Sequence, residues 1–206
     1  GDSPYQSFST FAGNPYFISL EALIEEGVLT KQECDSIDFG ENPARVDYTK
    51  IYNGRFELLH KAYERSNINE NWEFHQFVEK NAYWLKDYAL FMAVKQRFGG
   101  VSWTEWAEDI RMRWDFAMEY YQRELYFDIE FHEYMQFVFY KQWKQLKTYA
   151  NEHGIQIIGD IPIYVAMDSA DTWAHPWLFQ LDDRNYPVAV AGCPPDGFSA
   201  TGQLWG

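Results

Sequence analysis

Through the middle of the chain apolar residues recur at steps of three and four, and then the pattern gives way to an almost continuous apolar run. Phe74, Phe77, Val78, Ala82 and Leu85 share one helical face, and Trp84, Tyr88, Ala89 and Met92 extend the stripe. The spacing predicts one helix from Trp72 to a stop at Gly99-Gly100. Phe131, Tyr134, Met135, Val138, Phe139 and Gln142 mark a second face, in a helical region predicted from Asp115 to Glu152 with Gly154 as its C-cap. Both stripes read as core packing. Upstream, a loop leads into a short extended piece, Tyr16 to Ile18. Ser19 then caps a helix that runs to Glu26 and ends at Gly27. Thr30-Lys-Gln-Glu33 has the spacing of a capping box. Residues 36–50 read as irregular, Tyr52 to Tyr63 as helix and Ser66 to Asn71 as a polar break, while the segment around Trp103 and Trp106 is ambiguous.

After Gly154 the period changes. Ile155 to Val165 is rich in β-branched residues, and a helix, a capping glycine and such a run predict an α/β unit with a buried parallel strand over Ile155 to Ile161. Pro162 lacks an N–H and marks the strand's end, which puts Asp160 at its carboxyl end, where ligands bind in such folds. Asp168-Ser-Ala-Asp171 reads as a helix start capped by Asp168 or Ser169. Residues 178–183 and 186–191 read as a hairpin around Asp183 to Asn185. The stretch from Gly192 to Gly206 holds three of its glycines and both prolines between Gly192 and Gly202, so it is neither helix nor regular strand. It carries Asp196, Phe198, Gln203 and Trp205: a carboxylate, an amide and two flat rings, the side-chain types that hold a sugar. The chain opens in one loop and closes in another, which reads as a piece of a larger fold.

Charge narrows the partners. With 17 Lys+Arg against 31 Asp+Glu the net charge is −14, the wrong sign for nucleic acid or an anionic membrane. The sequence has no apolar stretch long enough to span a bilayer. Cys34 and Cys193 have neither pairing nor metal spacing and fit two free thiols in a reducing cytoplasm. The five histidines show no ligand spacing, and His132 reads as a surface or core residue of its helix. No metal and no cofactor are expected. Aromatic residues make up 19 % of the chain; most recur at helical spacing and read as core, and a few can serve as faces for the C–H side of a pyranose.

Four motifs make the pattern specific. Gly1-Asp-Ser-Pro-Tyr-Gln-Ser-Phe-Ser-Thr-Phe-Ala-Gly-Asn-Pro15, Trp84-Leu-Lys-Asp-Tyr-Ala-Leu-Phe-Met92, Ile158-Gly-Asp-Ile-Pro-Ile-Tyr-Val-Ala166 and Val190 through Gly206 resemble, in order, the 4-α-glucanotransferases, also called amylomaltases or disproportionating enzymes. The resemblance implies an α/β fold, a partial (β/α)8 TIM barrel of the α-amylase-related type with a large helical insertion. The fragment itself would be mostly helical with few strands. It implies a barrel loop and its leading segment over 1–18, a helical insertion subdomain with barrel-flanking helices over 19–150, and a barrel strand, helix, hairpin and substrate-covering loop over 151–206. The strand at Ile155 to Ile161 would be the third of the barrel.

The implied activity is cofactor-free transfer of α-1,4-glucan segments between maltooligosaccharides in the cytoplasm. Retaining transfer needs two carboxyl groups about 5–5.5 Å apart. The family's Arg-x-Asp-His-Phe-Arg nucleophile motif is absent from these 206 residues, so no catalytic residue is assigned. The resemblance implies binding roles only. Ser3 and Tyr5 would contact sugars near the cleavage point, Asp160 would accept hydrogen bonds from glucose hydroxyls, and Asp196, Phe198, Gln203 and Trp205 would belong to a loop over the acceptor side. Asp160 as a cap of loop N–H groups, and Phe198 and Trp205 as anchors of their loop, are the structural alternatives. Gly197 departs from relatives that carry Tyr there. An α-glucan hydrolase, or for this chain alone a non-catalytic glucan-binding fragment, are the competing functions, and the oligomeric state is open.

Overall fold

Helix signals in the sequence become, among the described residues, nine short or long α-helices joined by turns. The computed structural model describes residues 7–42, 44–160 and 165–204. The described residues are mostly helical: α1 (Leu20–Glu25), α2 (Lys31–Asp35), α3 (Tyr48–Arg65), α4 (Trp72–Lys80), α5 (Ala82–Arg97), α6 (Glu108–Arg111), α7 (Asp115–Glu124), α8 (Tyr126–Glu152) and α9 (Ala170–Ala174), followed by β1 (Gly192–Cys193) and β2 (Gln203–Leu204). The chain divides into two compact units. One comprises Gly1–Phe11, Leu90–Tyr126 and Ile161–Gly206; the other comprises Ala12–Ala89 and Phe127–Asp160.

Several predicted starts and stops hold. Ser19 accepts from the Ala22 N–H at the head of α1, and Gly27 ends it at φ +77°. Both halves of the Thr30–Glu33 box are made. Glu33 also takes a two-pronged pair of bonds from Arg65, at 2.7 and 2.9 Å. The Arg65 guanidinium, with help from Thr30, holds the Glu33 carboxyl down at about 2. Ser169, rather than Asp168, caps α9.

Other expectations need correction. Tyr16 to Ile18 is not extended: Pro15–Phe17 is a 3-10 turn, because Pro15 pre-sets φ and the Asn14 side chain accepts from the Tyr16 N–H. The helix expected from Tyr52 starts four residues earlier, at Tyr48, since Asp47 caps it. The helix expected from Trp72 to Gly99 is two. Asn81 interrupts it with φ −102° and ψ 9°. Its amide donates to the Phe77 carbonyl at 2.8 Å and its oxygen accepts from the Trp84 indole at 3.2 Å, so a side chain competes with the helical ladder. A similar break at Leu125 separates α7 from α8.

The buried parallel strand is also not seen. Residues 155–160 have no regular structure, and Ile155, Ile157 and Ile158 are exposed. A strand exists through its ladder partners, and among the described residues only β1 and β2 pair as strands. Residues 161–164, with Pro162, lie outside the described residues. The hairpin over 178–191 shrinks to one bridge, Leu181 to Pro187. Asp182 closes its turn by accepting from the Arg184 and Tyr186 N–H groups, with Asn185 at φ +63°.

The core of the Ala12–Ala89 and Phe127–Asp160 unit gathers Leu23, Leu58, Leu59, Phe74, Phe131, Met135 and Val138 around the first half of α8. Two glutamines of α8 fix the chain before α1. Gln136, fully buried, accepts from the Gly13 N–H at 2.8 Å and donates to the Gly13 carbonyl at 2.9 Å. Gln142 does the same to Ser19, at 2.7 and 3.2 Å. Each side-chain amide thus replaces a neighbouring strand for one residue. Gly13 is obligatory here, because a Cβ on it would fall 2.0 Å from the Phe139 ring.

The other unit is built on tryptophan. Phe91, Trp106 and Trp173 pack with ring centroids 5.3–5.9 Å apart, and the Arg113 guanidinium lies 4.2 Å from the Trp173 ring. The indoles of Trp173 and Trp103 donate to the Ile110 and Met167 carbonyls. Lys95, almost fully buried, donates to Asp168 at 2.5 Å and to the Val101 carbonyl at 3.0 Å.

Two outcomes follow for stability. Gln136→Leu strands both polar groups of Gly13, and each unsatisfied buried group costs about 1–3 kcal/mol. Urea unfolding should therefore show a loss of about 2–4 kcal/mol with an unchanged m-value. His132 is buried with neither ring nitrogen hydrogen-bonded, and burial pushes its imidazole down to about 3. The neutral ring thus stabilises the fold fully above pH 6.5, and that contribution is lost as pH falls from 6.5 towards 3. Its neighbour in sequence, Glu133, is pushed up to about 7 by burial, so its contribution is lost as pH rises from 4.5 to 7. The two slopes oppose each other between pH 4.5 and 6.5. His132→Leu should leave Glu133 uncompensated: acidification from pH 6.5 to 4.5 should stabilise the variant relative to the parent by about 1.4 kcal/mol per pH unit, read from urea midpoints.

Candidate functional site

The described part of the predicted sugar loop is a narrow ribbon. β1 and β2 pair antiparallel, Gly192 opposite Leu204 and Cys193 opposite Gln203. The approach is close enough to require glycine at two positions: a Cβ on Gly192 would meet the Gln203 carbonyl at 2.4 Å, and one on Gly202 would meet the Cys193 carbonyl at 2.4 Å. Gly202 also sits at φ +76°.

Asp196 organises the tip. Its Oδ1 accepts from the Phe198 and Ser199 N–H groups, both at 2.8 Å, and its own N–H donates to the Ser199 carbonyl at 3.0 Å. The Ser199 and Phe198 N–H groups hold its carboxyl below the ordinary aspartate value. Oδ2 has the Cys193 thiol at 3.9 Å and otherwise faces solvent. Ser199 closes the tip from the far side, its hydroxyl donating to the Gly202 carbonyl at 2.6 Å. Phe198 is 97 % exposed, so its ring presents its faces to solvent. The Gln203 side chain is exposed on β2. Gly197 has nothing within 4 Å of an added Cβ and lies outside the left-handed region.

The ribbon brings three of the predicted residues together: Asp196, Phe198 and Gln203. Trp205, Ser3 and Tyr5 lie outside the described residues. Phe8 and Thr10 are held within their own unit. The Phe8 carbonyl accepts from the Ala170 N–H at 2.8 Å, and Asp171 takes both the N–H and the hydroxyl of Thr10, at 2.9 and 2.7 Å. Asp160 is an exposed residue at the end of the other unit.

Sequence reasoning missed Ser199, Asp171 and Lys95. An Asp-x-x-Ser spacing at 196–199 is a turn signal that was available. Asp171 and Lys95 act across 161 and 73 residues, a separation that leaves no local trace. Among the described residues no group of His, Cys, Asp and Glu could hold a metal, and no helix is long and apolar enough to cross a membrane.

Comparison with known proteins agrees over the whole chain. The family model described as 4-alpha-glucanotransferase matches residues 1–206. The chain is 48 % identical over 207 residues to the 4-alpha-glucanotransferase of Clostridium butyricum and 46 % identical over 210 residues to that of Thermus thermophilus. All of the chain is covered in both cases, with 42 % and 41 % of the relatives, so it spans about two-fifths of their length. The fold superposes on an amylomaltase from Streptococcus agalactiae in complex with acarbose with a TM-score of 0.94 and 43 % identity, covering 100 % of this chain and 42 % of that one. The family model and the relatives cover the whole sequence, and the chain belongs to the 4-alpha-glucanotransferase family.

Proposed function

We propose that the protein carrying this chain is a cofactor-free transferase that moves α-1,4-glucan segments between maltooligosaccharides by retaining double displacement. The observation that carries this reading is the family match over residues 1–206. The solved amylomaltase with acarbose supports a site for such ligands. In this reading the chain contributes to a (β/α)8 barrel. Residues 1–18 lead into it, 19–150 wall the glucan groove, and 151–206 supply a strand, a helix and the covering loop. The apolar run at 155–160 finds its ladder partners in that barrel, and the protein works in the cytoplasm.

The residues of this chain then bind and shield. Ser3 and Tyr5 meet the sugars near the cleaved bond, and Asp160 accepts hydrogen bonds from glucose hydroxyls. Gln203 and the outer oxygen of Asp196, Oδ2, offer polar contacts, and Phe198 and Trp205 offer faces. Asp196 has a double task, because the oxygen that shapes the tip is already occupied by two N–H groups. A closed loop keeps water from the glycosyl-enzyme and so favours a sugar hydroxyl as acceptor.

Incubating the full-length protein with maltotriose should yield glucose together with longer oligomers; glucose and maltose alone would make it a hydrolase. Asp160→Ala in that protein should lower kcat/KM for disproportionation by about 100- to 1,000-fold while thermal unfolding stays near the parent value. Retained activity, or loss of the fold, would make Asp160 a structural cap. At Gly197 the open space admits a ring. Gly197→Tyr should tighten maltoheptaose binding by about five- to ten-fold, the worth of one aromatic contact, measured by calorimetry.

A further inference from the structure

Ser199 ties the tip of the ribbon to its return strand. Its N–H donates to Oδ1 of Asp196 at 2.8 Å. Its carbonyl accepts from the Asp196 N–H at 3.0 Å and from the Gly202 N–H at 3.3 Å. Its hydroxyl donates to the Gly202 carbonyl at 2.6 Å. The first three bonds use backbone atoms of residue 199 and do not depend on its side chain. The last needs a hydroxyl, and it falls on a glycine, the residue with the most backbone freedom to restrain. Ser199 is half-buried between exposed neighbours, so water competes less for its hydroxyl than for the groups around it.

This bond sits between two residues that the proposed function gives to the sugar. Phe198 directly precedes Ser199, and Gln203 directly follows Gly202. The hydroxyl therefore fixes the span that separates ring from amide. In the second half of double displacement the bond from C1 to the enzyme carboxylate breaks, and its electron pair returns to the carboxylate. C1 bonds the acceptor oxygen, and the acceptor's proton passes to the acid/base carboxylate. A sugar hydroxyl as acceptor gives a longer glucan; water gives a free reducing end. Which of the two reacts depends on how steadily the loop seats the sugar and excludes water.

We propose that Ser199 is a positioning residue for the transfer step: its hydroxyl holds Phe198 and Gln203 at the spacing that seats a sugar acceptor and keeps water out. The proposal rests on the transferase reading of the family. One such hydrogen bond shifts the balance between the held and the released ribbon by about three- to ten-fold. The full-length protein is supplied with maltotriose. Hydrolysis is counted as new reducing ends, which transfer leaves constant, and transfer as maltotetraose and longer products. Ser199→Ala should raise the ratio of hydrolysis to transfer about three- to ten-fold. Ser199→Thr, which keeps the hydroxyl, should stay within about two-fold of the parent. The ratio is independent of the folded fraction, so a partial loss of stability does not imitate the effect. An unchanged ratio in Ser199→Ala, an equal rise in both variants, or a Ser199→Ala protein that does not fold overturns the positioning role and leaves the proposed function standing. Absence of any transfer from maltotriose by the parent overturns the proposed function itself, and the positioning role with it.

Discussion

One buried ammonium organises the unit that carries the ribbon. Lys95 projects from α5 into the interior and satisfies its charge on Asp168, just ahead of α9, and on the Val101 carbonyl. The second oxygen of Asp168 accepts from the Trp103 N–H at 3.2 Å, and the Phe8 ring faces the ammonium at 5.3 Å. Four separated stretches of chain are thereby fixed to one charge. A buried charge is costly unless fully paired, and breaking such a pair costs about 3–5 kcal/mol because the partner is left unpaired. In this arrangement both ions have partners: the ammonium on Asp168 and the Val101 carbonyl, and the carboxylate on Lys95 and the Trp103 N–H. The tryptophan cluster of Phe91, Trp106 and Trp173 then packs against a frame whose ends are already set.

The other unit solves a similar problem without charge. Its leading segment is neither helix nor strand, so its backbone groups need partners from elsewhere. Gln136 and Gln142 provide them, each offering one acceptor and one donor to a single residue. An amide side chain carries a donor and an acceptor side by side and so matches both halves of a peptide unit at once. A leucine at position 136 could fill the space but could not supply the bonds, which is why a polar residue occupies the best-buried face of α8.

What could be read in the sequence follows from range. Capping and periodicity are local: Ser19, the Thr30–Glu33 box, Gly27 and Gly154 all declare themselves within one turn. Asn81 hid, because an Asn inside an apolar stripe reads as a tolerated polar residue until its amide is seen to bond Phe77 and Trp84. The strand expected over 155–161 is not formed by the described residues 155–160 for the opposite reason. Its β-branched composition is real, but pairing depends on partners that composition cannot reveal. Of the sugar-site candidates, residue types group Asp196, Phe198 and Gln203 in one irregular loop; the structure instead pairs the ends of that loop as two short strands and shows that Asp196 first holds the turn together.

The glycines of the ribbon separate shape from recognition. Gly192 and Gly202 are demanded by the close approach of two backbones, and no side chain there could be tolerated without opening the pair. Gly197 is under no such demand, since an added Cβ meets nothing. The tip's shape comes from backbone groups, Oδ1 of the Asp196 carboxylate and the Ser199 hydroxyl, which bond to one another within the tip. Its outward side chains are consequently free of structural duty. A loop built this way can change what it presents at 197 and 198 without changing how it is held. Variation at Gly197 therefore changes what the tip presents, and variation at Asp196 or Ser199 bears on whether the tip keeps its shape.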